Sequence, residues 1–245
     1  MSRLASVLGG LLLALSPGMG QAQMTATALT SAYSSTDATS YTTASISPPG
    51  ERLIVAFVTS RLGTTPNAPT LTGNGLTWVQ INTTAAQNER QSLFRATGPA
   101  PTSGTVTIDF AGQTQTSAAW HFLWINGADV SGAGSRAIVQ SNTTSGANVT
   151  TLTVTLSAFA DPSNRPLAGF GKGQNTQDNT PESGWVEPTT EVGGTPSGLT
   201  ASVQWNQNSA DATATVSWAS GADGGGVAVE IRADPHRRAT LGAGT

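Results

Sequence analysis

Four carboxylates, Asp178, Glu182, Glu187 and Glu191, fall within one stretch bounded by Gly173 and Gly194, and the same stretch carries Trp185. Beside it stands Lys172, the only lysine in the chain. Three chemistries suit this set. Two carboxyl groups held about 5–9 Å apart hydrolyse a glycosidic bond, one as acid and one as nucleophile or base. Grouped carboxylates also bind calcium, which takes about six to eight oxygen ligands. A tryptophan in a polar loop stacks on the apolar face of a sugar ring, while acids and amides take the ring hydroxyls.

Each chemistry meets an objection in the sequence itself. Nothing fixes the separation of carboxylates carried on a loop, and no D-x-D-x-D spacing marks a calcium site. Tryptophans on loops also close the ends of sandwich cores. The tryptophan is the best pointer all the same. Trp78, Trp120, Trp124, Trp205 and Trp218 fall in strand patterns suited to core packing, whereas Trp185 sits in the polar run Glu182-Ser183-Gly184-Trp185. The expectation is a ligand-binding group of Asp178, Glu182, Glu187 and Glu191 around a partly exposed Trp185, with no catalytic residue and no metal assigned.

Other catalytic routes are poorly supplied. With no cysteine there is no thiol nucleophile, thiolate metal site or disulfide. His236 lies in Asp234-Pro235-His236-Arg237-Arg238, beyond the last strand pattern, so a triad would have to use His121. That histidine sits mid-strand between two aromatics and reads as a packed strand residue. No G-x-S-x-G elbow, H-E-x-x-H, Walker loop or helix-opening G-x-G-x-x-G is present. Gly224-Gly225-Gly226 reads as a turn between strands, and Glu230 with Arg232 as a surface ion pair.

The elements that must position these residues show period two. Val106, Ile108 and Phe110 alternate with Thr105, Thr107 and Asp109. Leu152, Val154 and Leu156 alternate with threonines, and so do Ala214, Val216 and Trp218. Leu199, Ala201, Val203 and Trp205 oppose an outward Thr200, Ser202 and Gln204, and Val227, Val229 and Ile231 complete the pattern. Arg52 to Ser60 and Ala118 to Asn126 are apolar on both faces, as for strands covered from both sides. Asn74-Gly75 supplies the positive φ angles of a tight hairpin between Leu71-Thr72 and Leu76–Ile81. Further strands over 91–97, 137–141 and 166–172, with an N-terminal arm or edge strand over 23–40, bring the total to about a dozen. Outside the N-terminus no 3.6-residue apolar pattern of helical length occurs. The expected fold is all-β: an antiparallel two-sheet β-sandwich, jelly-roll-like.

Composition narrows the function classes. Charged residues make up 10% of the 245, against about 25% in typical domains. Threonine alone outnumbers Asp, Glu, Lys and Arg together. A formal net charge of −3 gives no basic footprint for nucleic acid. At the N-terminus Arg3 precedes the apolar Val7 to Leu15, then Pro17-Gly18 and the small residues around Ala22. This reads as a cleaved signal peptide over 1–22, because a membrane span needs about 18 or more apolar residues. The product is expected to be secreted or periplasmic, with one β-sandwich domain over 23–234, a flexible tail over 235–245 and no membrane span.

The segments Gly73-Asn-Gly-Leu-Thr-Trp78, Ser92-Leu-Phe-Arg-Ala96, Ser103 to Phe110 and Ala137 to Ser141 are similar to a group of β-sandwich proteins found in exported bacterial and phage-associated sequences. The resemblance implies a fold, carries no assigned activity and transfers no catalytic residue. The leading functional expectation is a secreted, non-catalytic binding or surface-structural module, with a glycan or a cell or virion surface as partner. One alternative is a phage-type or cell-surface assembly subunit, in which the N-terminal arm adds a strand to a neighbour and the chain oligomerises. A second is a glycoside hydrolase using the loop carboxylates. No cofactor is expected, calcium being the one ion considered.

Overall fold

The computed structural model describes residues 23–173, 177–189, 192–195 and 198–238. The expected signal segment 1–22, Glu191 and the end of the chain from residue 239 lie outside the described residues. The described residues form fourteen antiparallel strands: β1 (Thr25–Ser34), β2 (Ser40–Thr42), β3 (Leu53–Arg61), β4 (Thr70–Gly73), β5 (Val79–Ala86), β6 (Glu89–Ala96), β7 (Val106–Asp109), β8 (Ser117–Asn126), β9 (Ile138–Thr155), β10 (Arg165–Lys172), β11 (Thr180–Pro181), β12 (Val192–Gly194), β13 (Leu199–Trp205) and β14 (Thr213–Ile231). One sheet runs β1-β8-β3-β6-β5. A second runs β11-β14-β10-β13-β12, with β9 also paired to β14. The all-β sandwich is as expected, and a small sheet of order β2-β7-β4 adds a third layer.

The pleat explains the layering. On β3, β6 and β8, Leu53, Val55, Phe57, Leu93, Leu123 and Ile125 face Leu167, Val203, Trp205, Val227 and Val229 of the second sheet. The alternate residues Ala56, Val58, Phe94, Trp120 and Phe122 face Tyr41, Leu71, Val106, Ile108 and Phe110 around the small sheet. Strands β3 and β8 are therefore covered on both faces, as their unbroken apolar runs require. The N-terminal arm is spent inside the molecule as β1, an edge strand paired to β8.

The second sheet is also covered twice. Val154 pairs with Ala214, twelve residues along β14 from Gly226. Extended strand would put Ala214 about 40 Å from Gly226. Yet a Cβ placed on Gly226 would lie 3.1 Å from Val154 Cγ2. The β9–β14 ribbon must double back, and it does so where its register breaks between Ser217 and Gly224. Its far half lays Leu152, Val154, Ala214, Val216 and Trp218 over Ala168, Phe170 and Ala228.

Several expectations change. Gly73-Asn74-Gly75-Leu76 is a tight turn, with Leu76 N donating to Gly73 O at 3.1 Å and φ of 58° and 64° at Asn74 and Gly75. It closes no hairpin, because β4 joins the small sheet and β5 the large one. Gly224-Gly225-Gly226 is not a turn but mid-strand, where β14 pairs with β9 and β10 together. A side chain at Gly226 would strike Phe170, whose ring atoms lie 2.5–2.6 Å from a Cβ placed there. Glu230 makes no surface ion pair: it is buried, accepting from Asn164 Nδ2 at 2.6 Å and Gln140 Nε2 at 2.7 Å. Thr200, Ser202 and Gln204, expected in water, are buried at 2% exposure or less. The segment from residue 177 to 189 covers them. Beyond β14, Pro235–Arg238 form a 3-10 turn.

Candidate functional site

The covering segment and the outer face of β13 enclose an open cleft of about 900 Å³. Asp178, Asn179, Thr180, Pro181, Glu187, Pro188, Thr189 and Thr200 line it, with Gly193 and Gly194 of β12 at one side. Of the four expected acids, Asp178 and Glu187 meet here and both are exposed. Glu182 does not line the cleft. Its Oε1 accepts from Thr215 N at 2.9 Å and its own N donates to Thr215 O at 3.2 Å, so it ties the segment to β14. Burial pushes the Glu182 carboxyl up, against the opposing hydrogen bonds from Thr215. Glu191 lies outside the described residues.

Trp185 is a correction. It is 6% exposed and packs with Phe170, Val216 and Trp218, so its ring is no stacking platform. The reason is local. Val186 N donates to Trp205 O at 3.0 Å and Trp205 N to Val186 O at 2.8 Å, a bridge that lays the chain along β13. With Val186 turned out at 49% exposure, its neighbour Trp185 is turned in. The indole closes the core under the doubled ribbon and forms part of what supports the cleft.

Beneath the carboxylates runs a hydrogen-bonded chain that sequence alone did not suggest. Lys172 is fully buried, with Nζ donating to Asn179 Oδ1 at 2.6 Å and to the carbonyl of Gln177, and lying 5.1 Å from the centroid of the Trp218 ring. Asn179 Nδ2 donates to Ser202 Oγ at 2.9 Å. Partial burial pushes the Glu187 carboxyl up, the nearby Ser202 hydroxyl opposes this, and the charge of Asp178 adds to it.

His121 supports the other wall. Its Nε2 lies 3.1 Å from the Ala201 carbonyl and its Nδ1 2.8 Å from Thr189 Oγ1. A carbonyl only accepts, so Nε2 carries the proton. Burial pushes this imidazole down to about 4, so it is neutral above that pH, and Nδ1 accepts from the Thr189 hydroxyl. His121 is thus the packed strand residue expected, but it also fixes the rotation of a hydroxyl that lines the cleft.

Among the described residues no three His, Asp or Glu side chains are grouped so as to hold a metal ion. Nor is any described helix long and apolar enough to cross a membrane. The residues missed as site residues are Asn179, inside the acidic stretch itself, and Ser202, on β13, the strand that follows it; Lys172 and His121 were noticed in the sequence but not as supports of the cleft. Comparison with known proteins adds no relative, since no family model, curated protein or solved structure matches this chain.

Proposed function

We propose that the protein is an exported, non-catalytic glycan-binding module whose ligand seats in the cleft over β13. The observation that carries this reading is the lining. Side chains of Asp178, Asn179, Thr180, Glu187, Thr189 and Thr200 ring a cleft of about 900 Å³, within the roughly 300–1,000 Å³ of small-ligand sites. Carboxylate, amide and hydroxyl groups are the partners ring hydroxyls need, and the Lys172 and His121 hydrogen bonds hold several of them in place before ligand arrives. With no aromatic residue among the described residues of the lining, affinity depends on polar contacts. The signal-like N-terminus supports export.

A glycan array followed by calorimetry tests this, run with and without calcium. Binding is expected for a subset of saccharides, weakened about tenfold to a hundredfold in Asp178→Asn or Glu187→Gln, as removal of a charged hydrogen-bond acceptor does. Silence across the array and in calorimetry would sink the proposal. Because Asp178 and Glu187 share the cleft, the same variants address hydrolysis. Chromogenic glycosides cleaved by the wild type and not by Glu187→Gln would convert the module into an enzyme.

A further inference from the structure

We propose that Lys172 and Asn179 join covalently: the lysine amine displaces ammonia from the asparagine side-chain amide and leaves an Nζ–Cγ isopeptide bond. This modification is independent of what the cleft binds. Lysine is almost never fully buried, yet the one lysine of this chain is 0% exposed and the asparagine it meets is 5% exposed. Lys172 Nζ donates to Asn179 Oδ1 at 2.6 Å and to the Gln177 carbonyl, with the centroid of the Trp218 ring 5.1 Å away. Nucleophile and electrophile are already in contact. A C=O bond is about 1.2 Å long, so Nζ lies within about 3.8 Å of Cγ, close to the roughly 3–3.5 Å of a near-attack geometry.

The step balances without a co-reactant. Uncharged Nζ gives its electron pair to Cγ, and the Cγ–Nδ2 bond breaks with its pair going to nitrogen. The proton that Nζ sheds ends on Nδ2, which leaves as ammonia; nothing is oxidised or reduced. Three features of the site favour the reaction. Removal from water favours the uncharged form of an amine, which is the nucleophilic one. The leaving nitrogen has a polar group at hand, since Asn179 Nδ2 donates to Ser202 Oγ at 2.9 Å and a hydroxyl both accepts and gives a proton. Burial of Lys172, Asn179 and Ser202 keeps off the water that would otherwise hydrolyse the amide. Holding two groups in this way is equivalent to concentrations of about 10⁵–10⁸ M, which brings so unreactive an electrophile as an amide within reach. The bond ties the end of β10 to the segment that lines the cleft, a covalent brace in a chain with no cysteine for a disulfide.

The test is mass spectrometry of the full mature wild-type protein, first intact and unfolded, then digested with trypsin, which cuts after a lysine only while its amine is free. The chain is expected to be lighter than its sequence by one ammonia. The loss should fall in a fragment that holds Lys172 and Asn179 together, uncut after Lys172. Asn179→Ala and Lys172→Arg should each retain that ammonia, and the wild-type digest decides alone if either variant fails to fold. A wild-type chain cut completely after Lys172, both when fresh and after incubation at alkaline pH, overturns the proposal. An ammonia loss that maps elsewhere, such as to a cyclised N-terminal glutamine, overturns it too. So does exchange of ammonia for water at Asn179, which is hydrolysis to aspartate. None of these results bears on glycan binding, which the array and calorimetry decide separately.

Discussion

Glu89 occupies a costly environment for a carboxyl group. It begins β6 at 2% exposure, with neither carboxylate oxygen hydrogen-bonded. A Cβ on Gly173 would fall within bonding distance of its Oε1, so the absence of a side chain at Gly173 is what makes room for it. Burial pushes this carboxyl up to about 8, with Arg61 opposing and Asp223 adding to the rise. The group therefore holds a proton in the folded state that the unfolded chain gives up near its ordinary value of 4.5. Its contribution to stability is present below pH 4.5 and is lost as pH rises through about 8. His121, pushed down to about 4, acts oppositely: stability is lost as pH falls from its ordinary 6.5 toward 4. Between pH 6.5 and 8 Glu89 acts without His121. Thermal melts across that range should show the wild type losing stability and Glu89→Gln holding level. Parallel curves for the two proteins would remove Glu89 from the account. At this scale the acidic stretch was legible as the place of the site, because Asp178 and Glu187 do meet. Which acids, and which way Trp185 faces, was not. The Val186–Trp205 bridge and the Thr215–Glu182 hydrogen bonds are pairings over long sequence separations, and no local pattern contains them.

Among the elements, β10 sets how closely the two large sheets approach. Its sequence alternates glycine at 169, 171 and, just beyond its end, 173 with Phe170 and Lys172. The glycines face the first sheet. A Cβ at Gly169 would meet Phe57 at 2.1 Å, one at Gly171 would meet Thr59 at 2.3 Å, and Gly173 accommodates Glu89. The same interface thus passes from apolar to polar along one strand, while the other face of β10 sends Phe170 into the outer core and Lys172 under the cleft. Gly169→Ala should destabilise by about 1–3 kcal/mol, because the Phe57 ring is buried and has little room to yield. Gly63→Ala, where nothing lies within 4 Å, should be near neutral. Urea midpoints of the two variants check the contrast, and an unchanged Gly169→Ala midpoint would show that the sheets are free to separate. Strands were legible wherever one face was apolar and the other polar, as in β7 and β13. The merging of four expected strands into β9 and β14 was not. Their Gly-, Ser- and Asn-rich middles read as turns, and only pairing on both sides of β14 keeps Gly224 to Gly226 extended.

For the whole molecule, period two identifies which residues share a face but not what covers that face. This is why the sandwich was legible and its layering was not. Thr200, Ser202 and Gln204 look like solvent-facing strand residues and are instead a buried polar floor, whereas Thr151, Thr153 and Thr155 are exposed as their pattern implies. The same composition has a consequence for stability. With charged residues at 10% and a net charge of −3, little of the folding free energy rests on ion pairs, and exposed pairs contribute only about 0–1 kcal/mol each. The stabilising mass is apolar: three large clusters, one between the major sheets, one under the small sheet and one beneath the doubled ribbon. Screening therefore has little to act on in the fold but much to act on in the cleft, where Asp178 and Glu187 lie together. Raising sodium chloride from 0.05 to 0.5 M, roughly a threefold shortening of the screening length, should move the melting temperature by no more than about 2 °C. Sulfate at equal ionic strength should raise it, because it strengthens apolar burial. Affinity for any saccharide held through Asp178 and Glu187 by charge should fall across the sodium chloride series that leaves the fold unchanged. A melting temperature that fell with the affinity would mean that charge stabilises the fold after all, and that the cleft and the core are not electrostatically separate.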